Sequence, residues 1–294
     1  MLKVQYPFGQ NSLALYLIAN QGIKPSELAV APKLELISGG LELDLGAYYQ
    51  TAKSPKAILT GTLTSGDFYF FGEAVASWGS DRVFVRRSLN QAAAQADPTD
   101  DLVTVLDTYE VDGAIFASTT VGIRYIHTLP EKRGTLTAVG QYYFNGEGYA
   151  SSDVLRAAYY LQANPGSNGL AIPDPNAQPP GYTAPPLLRL SDLSPWGMHY
   201  AGVSFSWSNL LNTSFGVSAY ALANLSDGSG IFYPKISCEL FDRFTLTMGM
   251  RMTFGAIGTE YANPPALVGG TSPDPNVGRL LAFTLEATLD GGKF

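Results

Sequence analysis

The chain has 294 residues and a formal net charge of −7, and 15% of its residues are charged and 12% are aromatic. This charged fraction lies well below the ~25% of typical soluble domains, and the acidic balance argues against a nucleic-acid-binding surface. The single cysteine, Cys238, excludes an internal disulfide and a cluster of thiolate metal ligands. No run approaches the ~18 consecutive apolar residues of a transmembrane helix, so a helical membrane protein is not expected.

The chain opens with Leu2–Phe8, a short alternating segment that lacks the apolar core of a signal peptide. Because an exported protein carries such a peptide before processing, we expect the sequence to be a mature form or a fragment. Leu2–Phe8 is either a lead-in to the first strand or a strand of its own. In the second case it raises the strand count from twelve to thirteen.

Twelve further segments alternate large apolar residues with small or polar ones. A period of two is typical of β-strands that have one apolar and one polar face. The clearest example is 244–254, where every even position is Phe, Leu or Met. Each segment is close to the ~9–11 residues that a tilted strand needs to cross a bilayer. In chain order the predicted strands are 11–20, 27–37, 40–50, 56–65, 67–79, 113–126, 134–145, 197–209, 213–225, 230–240, 244–254 and 277–289.

The connections between these strands are of two kinds. Gly, Asn and Asp residues predict short turns at 38–40, 65–67, 209–212 and 242–243. Counting strands, the long links all fall at the opposite end, and they cover residues 80–112, 146–196 and 255–276. Such separation is typical of transmembrane barrels, with short periplasmic turns and long extracellular loops. The sequence therefore predicts a single barrel domain over residues 1–294.

The link 146–196 is the least regular part of the chain, since it is rich in Pro and Gly. Within it, residues 152–163 predict a short helix with Ser152 as its N-cap. Two positions for this helix stay open. It either folds into the pore as a constriction or lies outside it.

Charged residues in the middle of the strands fall on the polar face. We predict that they line a pore. A lipid-facing Arg or Lys at mid-bilayer costs ~2–4 kcal/mol, so this segregation is physically meaningful. Two interpretations stay open: the charges either line a watery pore with a weak cation preference, or pair across the lumen and plug it. The candidate pore-lining residues are Lys33, Glu35, Glu42, Asp44, Glu73, Arg124, Lys235, Glu239, Arg251 and Glu286.

Catalysis is not predicted for this chain. It has two histidines: His127, expected in a turn near Pro130, and His199, expected near a strand end with outward parity. Neither has the neighbouring serine that a barrel-embedded phospholipase requires. Two distant histidines do not make a metal site either. We therefore predict no enzyme activity, no catalytic residues, no metal site and no cofactor.

The alternating strands, the segregated loops and the terminal Phe294 together resemble outer-membrane porin-like β-barrels at the level of architecture. The resemblance implies an all-β fold: an antiparallel transmembrane β-barrel of about twelve strands, with fourteen strands or a fragment of a larger barrel as alternatives. It implies a channel in the bacterial outer membrane for passive or facilitated diffusion of small hydrophilic solutes. The alternative is a surface-exposed structural or adhesive barrel with a plugged lumen.

The same resemblance implies the partners of the chain. These are the lipid of the outer membrane, small hydrophilic solutes, and the barrel-assembly machinery, which would recognise the C-terminal Phe294. No nucleic-acid partner is expected.

Overall fold

Strands make up nearly all of the regular structure in the described part of the chain. No helix that the described residues form is long and apolar enough to span a membrane. The computed structural model describes residues 1–19, 27–51, 53–82, 84–89, 104–109, 111, 113–130, 133–151, 197–241, 244–256, 259–262 and 281–289. The strands are β1 (Leu2–Phe8), β2 (Asn11–Ala19), β3 (Leu28–Ser38), β4 (Leu41–Gln50), β5 (Lys56–Ser65), β6 (Phe68–Trp78), β7 (Phe84–Leu89), β8 (Thr104–Tyr109), β9 (Ile115–Thr128), β10 (Thr135–Asn145), β11 (His199–Ser208), β12 (Phe215–Asn224), β13 (Ser229–Phe241), β14 (Phe244–Phe254) and β15 (Leu281–Leu289).

Strands β1–β6 and β9–β15 form one 13-stranded antiparallel sheet, in which each strand pairs with the next one along the chain. The separate hairpin β7–β8 interrupts this order between β6 and β9. Among the described residues the pairing ends at β1 and at β15, so the sheet has two edges. Because every neighbouring pair is antiparallel, these two edge strands run in the same direction.

The predicted all-β, antiparallel architecture is confirmed at the level of this sheet. The opening segment is a full strand, since β1 pairs with β2 from Leu2 opposite Leu17 to Phe8 opposite Asn11. The strand count of the sheet is therefore thirteen, one more than the twelve predicted. The link 80–112 contains the β7–β8 hairpin, which was not predicted. The predicted helix 152–163, residues 277–280 of the last predicted strand, and Phe294 lie outside the described residues.

Glycines with positive φ turn the chain at the short end of the strands. Gly39 between β3 and β4 has φ +59°, and Gly66 between β5 and β6 has φ +58°. Glycine adopts this left-handed conformation at little cost, which suits two-residue hairpins. The turn between β11 and β12 is a 3-10 turn over Leu210–Asn212. The short turns predicted at 38–40, 65–67 and 209–212 are confirmed, whereas 242–243 lies outside the described residues.

The register divides the sheet into two faces, because paired residues of neighbouring strands point to the same side. One face, the apolar face, carries residues such as Leu34, Leu45 and Leu59, which lie opposite one another across β3, β4 and β5. The other face, the polar face, carries residues such as Glu35, Asp44 and Thr60 at the alternate positions. The same assignment continues without interruption to β15.

Burial is distributed over these two faces in the opposite way to a soluble protein. On the apolar face, Val203 is 60% exposed and Phe283 is 76% exposed. Every buried side chain of the sheet that the structure describes belongs to the polar face. These buried side chains are Ser12, Ala14, Ala29, Gln50, Ser77, Asn145, Tyr200, Asn224, Ser229, Ile231 and Thr253. Among the described residues, the buried side chains of the sheet thus lie on its polar face, and its apolar face has none.

Candidate functional site

The predicted pore-lining residues share one face of the sheet. Register places Glu35 opposite Asp44, Glu73 opposite Thr60, and Glu286 opposite Thr247. The same register puts the remaining members on this polar face. The complete set is Lys33, Glu35, Glu42, Asp44, Glu73, Arg124, Lys235, Glu239, Arg251 and Glu286.

Part of this set forms an ion-paired patch on β3 and β4. The Lys33 Nζ atom lies 3.0 Å from Asp44 Oδ2, and the Thr60 hydroxyl donates a hydrogen bond of 3.2 Å to the same oxygen. The Ser12 hydroxyl donates to Glu35 Oε2 at 2.9 Å. These partners come from neighbouring strands, so the bonds run along the wall of the sheet. Charge pairing in this patch does not require a group from a distant strand.

Three carboxylates of this patch lie close together. Oxygen atoms of Glu35, Glu42 and Asp44 are all within 4.8 Å of one another. Carboxylate oxygens are ligands of hard cations such as Ca²⁺. The Lys33 ammonium brings a positive charge to Asp44, which offsets one of the three negative charges of the cluster.

The other charged residues of the polar face are more open to solvent. Glu73 on β6, Arg124 on β9, Glu239 on β13, Arg251 on β14 and Glu286 on β15 are all exposed. An exposed charge keeps its hydration and interacts weakly with its neighbours. These side chains are therefore available to solutes that reach the polar face.

Two aromatic rings of the polar face lie over glycines of the next strand. A Cβ atom added to Gly122 would lie 2.3 Å from Phe71 Cζ, and one added to Gly249 would lie 2.8 Å from Tyr233 Cε2. Each ring therefore occupies space that any larger residue would fill. The Lys235 ammonium sits 4.4 Å from the centre of the Tyr233 ring, a cation–π distance. These rings rest against the wall of the sheet.

A short segment after β14 folds back onto the polar face of β11–β13. We call this segment, Thr259–Ala262, the fold-back segment. Its Glu260 Oε2 atom accepts hydrogen bonds from the Tyr200 hydroxyl at 2.6 Å and from Asn224 Nδ2 at 2.8 Å. Asn224 and Thr259 are fully buried. Unpaired buried polar groups are costly, so these bonds hold the segment in place.

Asp227, in the hairpin turn between β12 and β13, is the second anchor of the fold-back segment. Its Oδ2 atom accepts from the Glu260 backbone N–H at 2.7 Å, and its Oδ1 atom accepts from the Ser229 hydroxyl at 2.6 Å. The Ser229 Oγ atom in turn accepts from the Tyr261 N–H at 3.2 Å. Burial, followed by the nearby carboxylates of Glu260 and Asp227, raises the pKa of Tyr261. Its phenol is therefore neutral at physiological pH.

Neither histidine belongs to the fold-back segment or its anchor. His127 lies at the other end of the strands, and His199 lies on the apolar face. His127 belongs to β9 rather than to the predicted turn, and its Nδ1 atom lies 2.6 Å from Asp67 Oδ2. His199 lies on the apolar face, as predicted, opposite Phe144. Its Nδ1 atom is 2.6 Å from the Tyr142 hydroxyl. Each imidazole thus has a local partner that fixes its orientation.

Sequence reasoning missed the fold-back segment and its anchor. Residues 224–230 form the hairpin turn between β12 and β13, and Gly, Asp and Ser residues in this run are typical of such a turn. Its additional role depends on Glu260, about 30 residues further on, and no local pattern links the two. In comparisons with known proteins, no family model, curated protein or solved structure matches this chain.

Proposed function

We propose that the 13-stranded sheet closes into a barrel in a bacterial outer membrane and forms a channel for small hydrophilic solutes. The observation that carries this proposal is the inverted burial of the two faces. Large apolar side chains are exposed on one face, while polar and charged side chains occupy the more buried face. A sheet of this kind is stable where lipid covers the apolar face and water reaches the polar one.

The exposed apolar face extends across the whole sheet. It runs from Leu13 on β2 through Leu45 and Phe70 to Val203 and Leu285 on β15. Monomeric soluble proteins rarely expose continuous apolar patches beyond a few hundred Å². The strand lengths agree with a bilayer, since β4, β5, β11 and β12 each have 10 residues, within the ~9–11 that a tilted strand needs.

Closure of the sheet follows from the same argument. In hydrocarbon, each unpaired backbone N–H or C=O costs several kcal/mol, so free sheet edges are not tolerated. We propose that β1 and β15 pair with each other as parallel neighbours, since they run in the same direction. Thirteen strands spaced ~4.8 Å apart and tilted ~40° give a backbone diameter of roughly 26 Å.

The polar face would then line the lumen. Its mid-strand set contains six acidic and four basic residues, which favours a weak preference for cations. Phe71 and Tyr233 lie over glycines, and this arrangement keeps two bulky rings close to the wall. Both features are those of a passage that water and small solutes can enter.

A plugged, structural or adhesive barrel is the second candidate. The fold-back segment favours it, because Glu260 and Tyr261 lie over the polar face of β11–β13 at the end where the long links emerge. If the remainder of the lumen is filled in the same manner, the barrel carries no solute. The two candidates share the membrane location and differ in whether the lumen conducts.

Conductance in a planar bilayer tests the channel proposal. We expect stepwise current increases when the purified, folded chain is added to one side of the membrane, and a mild cation preference in a salt gradient. The control is the same preparation kept unfolded in urea until addition at equal final urea. A folded, inserted protein that passes no current at any voltage would refute the channel and favour the plugged barrel.

A further inference from the structure

A cavity of about 410 Å³ lies on the polar face, at the end of the strands where the long links emerge. It is formed by β5, β6, β9 and β10, together with the bend after β6 and the turn after β10. Its size is within the ~300–1,000 Å³ range of small-molecule sites. It belongs to a different part of the sheet from the ion-paired patch and from the fold-back segment. Its principal lining residues are Lys56, Asp81, Arg82, Phe116, Tyr143 and Glu147.

Charges of both signs meet in this cavity. The Lys56 Nζ atom lies 4.0 Å from Asp81 Oδ2, a long separation for an ion pair, and the two side chains remain 39% and 32% exposed. The ammonium of Lys56 is therefore within reach of a solute. The backbone N–H of Ser54 donates to Asp81 Oδ1 at 2.9 Å and holds this carboxylate at the rim.

The part of the cavity around Glu147, which contains its carboxylate and the Arg82 guanidinium, is also held in place. Glu147 accepts a hydrogen bond from the Ser80 hydroxyl through Oε1, and its backbone carbonyl accepts from Arg82 Nη1 at 3.3 Å. These bonds join the bend after β6 to the turn after β10. The rim thus presents cationic and anionic groups in positions set by two short connections.

An apolar wall completes the cavity. The ring of Phe116 is stacked on Phe84, with ring centroids 5.5 Å apart, and Phe84 is buried. Val75 lines the same side, whereas Ser118 adds a hydroxyl. A ligand that fits this cavity therefore carries one positive group, one negative group and a small apolar part.

We propose that this cavity binds a small zwitterion of the free α-amino acid class, with its carboxylate toward Lys56 and its ammonium toward Glu147. This inference rests on the proposed function only in that solutes reach the polar face. The cavity is lined by two cations, Lys56 and Arg82, and by two anions, Asp81 and Glu147. A solute with one charge of each sign therefore matches it better than a dianion does, and a neutral sugar would leave these charges without ligand partners. Charge-assisted hydrogen bonds at both ends of a zwitterion satisfy each sign.

Binding in detergent tests the inference without requiring an open channel. Isothermal titration of the purified full chain would compare leucine with N-acetyl-leucine, which lacks the cation, and leucine amide, which lacks the anion. We expect leucine to bind about tenfold more tightly than either derivative, and glucose not to bind. Equal affinities for the three leucine compounds, or an absence of leucine binding, would overturn the proposal.

Two substitutions assign the charges. Lys56→Met should abolish the preference for leucine over leucine amide, while Glu147→Gln should abolish the preference over N-acetyl-leucine. Asp67→Asn, at the opposite end of the strands, and Lys3→Met on β1 are matched controls that should bind as the parent chain does. Unchanged discrimination in the first two variants would also overturn the site. Leucine binding without conductance would refute only the channel, and conductance without leucine binding would refute only the site.

Discussion

The two faces of β11 differ in the kind of side chain that they expose. Val203 on the apolar face and Ser204 on the polar face are consecutive, and both are exposed. A soluble sheet would turn the valine inward and the serine outward. In this sheet Val203 and Phe205 are both exposed, and the buried residue of β11, Tyr200, lies on the face of Ser204.

The comparison shows that exposure on the two faces has different meanings. On the apolar face the exposed groups include Leu, Val, Ile and Phe, whose free energy falls when they are removed from water. On the polar face the exposed groups include charged side chains such as Glu73 and Arg124, whose free energy rises if they lose their water. The apolar face is suited to lipid and the polar face to water. Substitutions that place a charge on the apolar face, or that change a group on the polar face, test this difference.

The largest effect is expected from a charge placed on the apolar face. Val203→Arg should destabilise folding into lipid vesicles by ~2–4 kcal/mol if the residue lies near mid-bilayer. Ser204→Arg, one residue away on the polar face, should change the free energy of unfolding by less than ~1 kcal/mol. Reversible denaturant unfolding from vesicles measures both values. Equal costs at the two positions would show that the faces have the same environment.

The next effect concerns the part of the polar face that the fold-back segment covers. Asn224→Ala removes a fully buried amide that donates to Glu260, so it should cost ~1–3 kcal/mol of unfolding free energy. Ser204→Ala, on the open part of the same face, should stay within ~0.5 kcal/mol. The same unfolding measurement applies. A negligible cost for Asn224→Ala would mean that the fold-back segment is not anchored there.

A smaller effect is expected from filling the space beneath Phe71. Gly122→Ala places a methyl group 2.3 Å from Phe71 Cζ and 2.9 Å from the Gly140 carbonyl oxygen. The ring must therefore swing away from the wall and the backbone must shift slightly, at a cost of about 1 kcal/mol. Single-channel conductance should fall as a result. Gly46→Ala, on the polar face of β4, is the control, because its methyl group would meet no atom closer than 3.6 Å. Equal conductance in the two variants would contradict a lumen lined by Phe71.

The smallest effect is on ion preference. Replacing Glu73 and Glu286 by Gln removes two exposed acids from the polar face, so the reversal potential in a salt gradient should shift toward anions. Replacing Lys235 and Arg251 by Gln should shift it toward cations. An unchanged reversal potential in both double variants would mean that these residues do not line the conducting path.

Much of the sheet could be predicted from the sequence because its period of two is local. Leu41 to Tyr49 alternate in the sequence, and β4 follows that alternation from Leu41 to Gln50. Their odd or even position within the alternation assigns Glu42, Asp44, Arg251 and Glu286 to the polar face from the sequence alone. Turn glycines such as Gly39 and Gly66 marked the strand ends, since they supply positive φ at little cost.

The remaining features depend on contacts between distant residues. The fold-back segment is held by a hydrogen bond between Glu260 and Tyr200, which are 60 residues apart in the sequence. No periodic pattern predicts such a bond. The cavity joins Lys56 to the turn at Glu147, which again requires the register of four strands. The β7–β8 hairpin escaped prediction because its strands are short and neither alternates strictly between apolar and polar residues.

The central claim is that Val203 faces lipid while Ser204 faces water. Spin labels measure this directly when they are attached to Val203→Cys or Ser204→Cys in a Cys238→Ser background and the protein is reconstituted in lipid vesicles. Oxygen, which partitions into lipid, and a water-soluble nickel chelate each relax a label that they can reach. We predict that the label at 203 responds mainly to oxygen and the label at 204 mainly to the nickel chelate. Nickel access at both positions would contradict the membrane barrel, and exclusion of nickel from 204 would contradict the watery lumen.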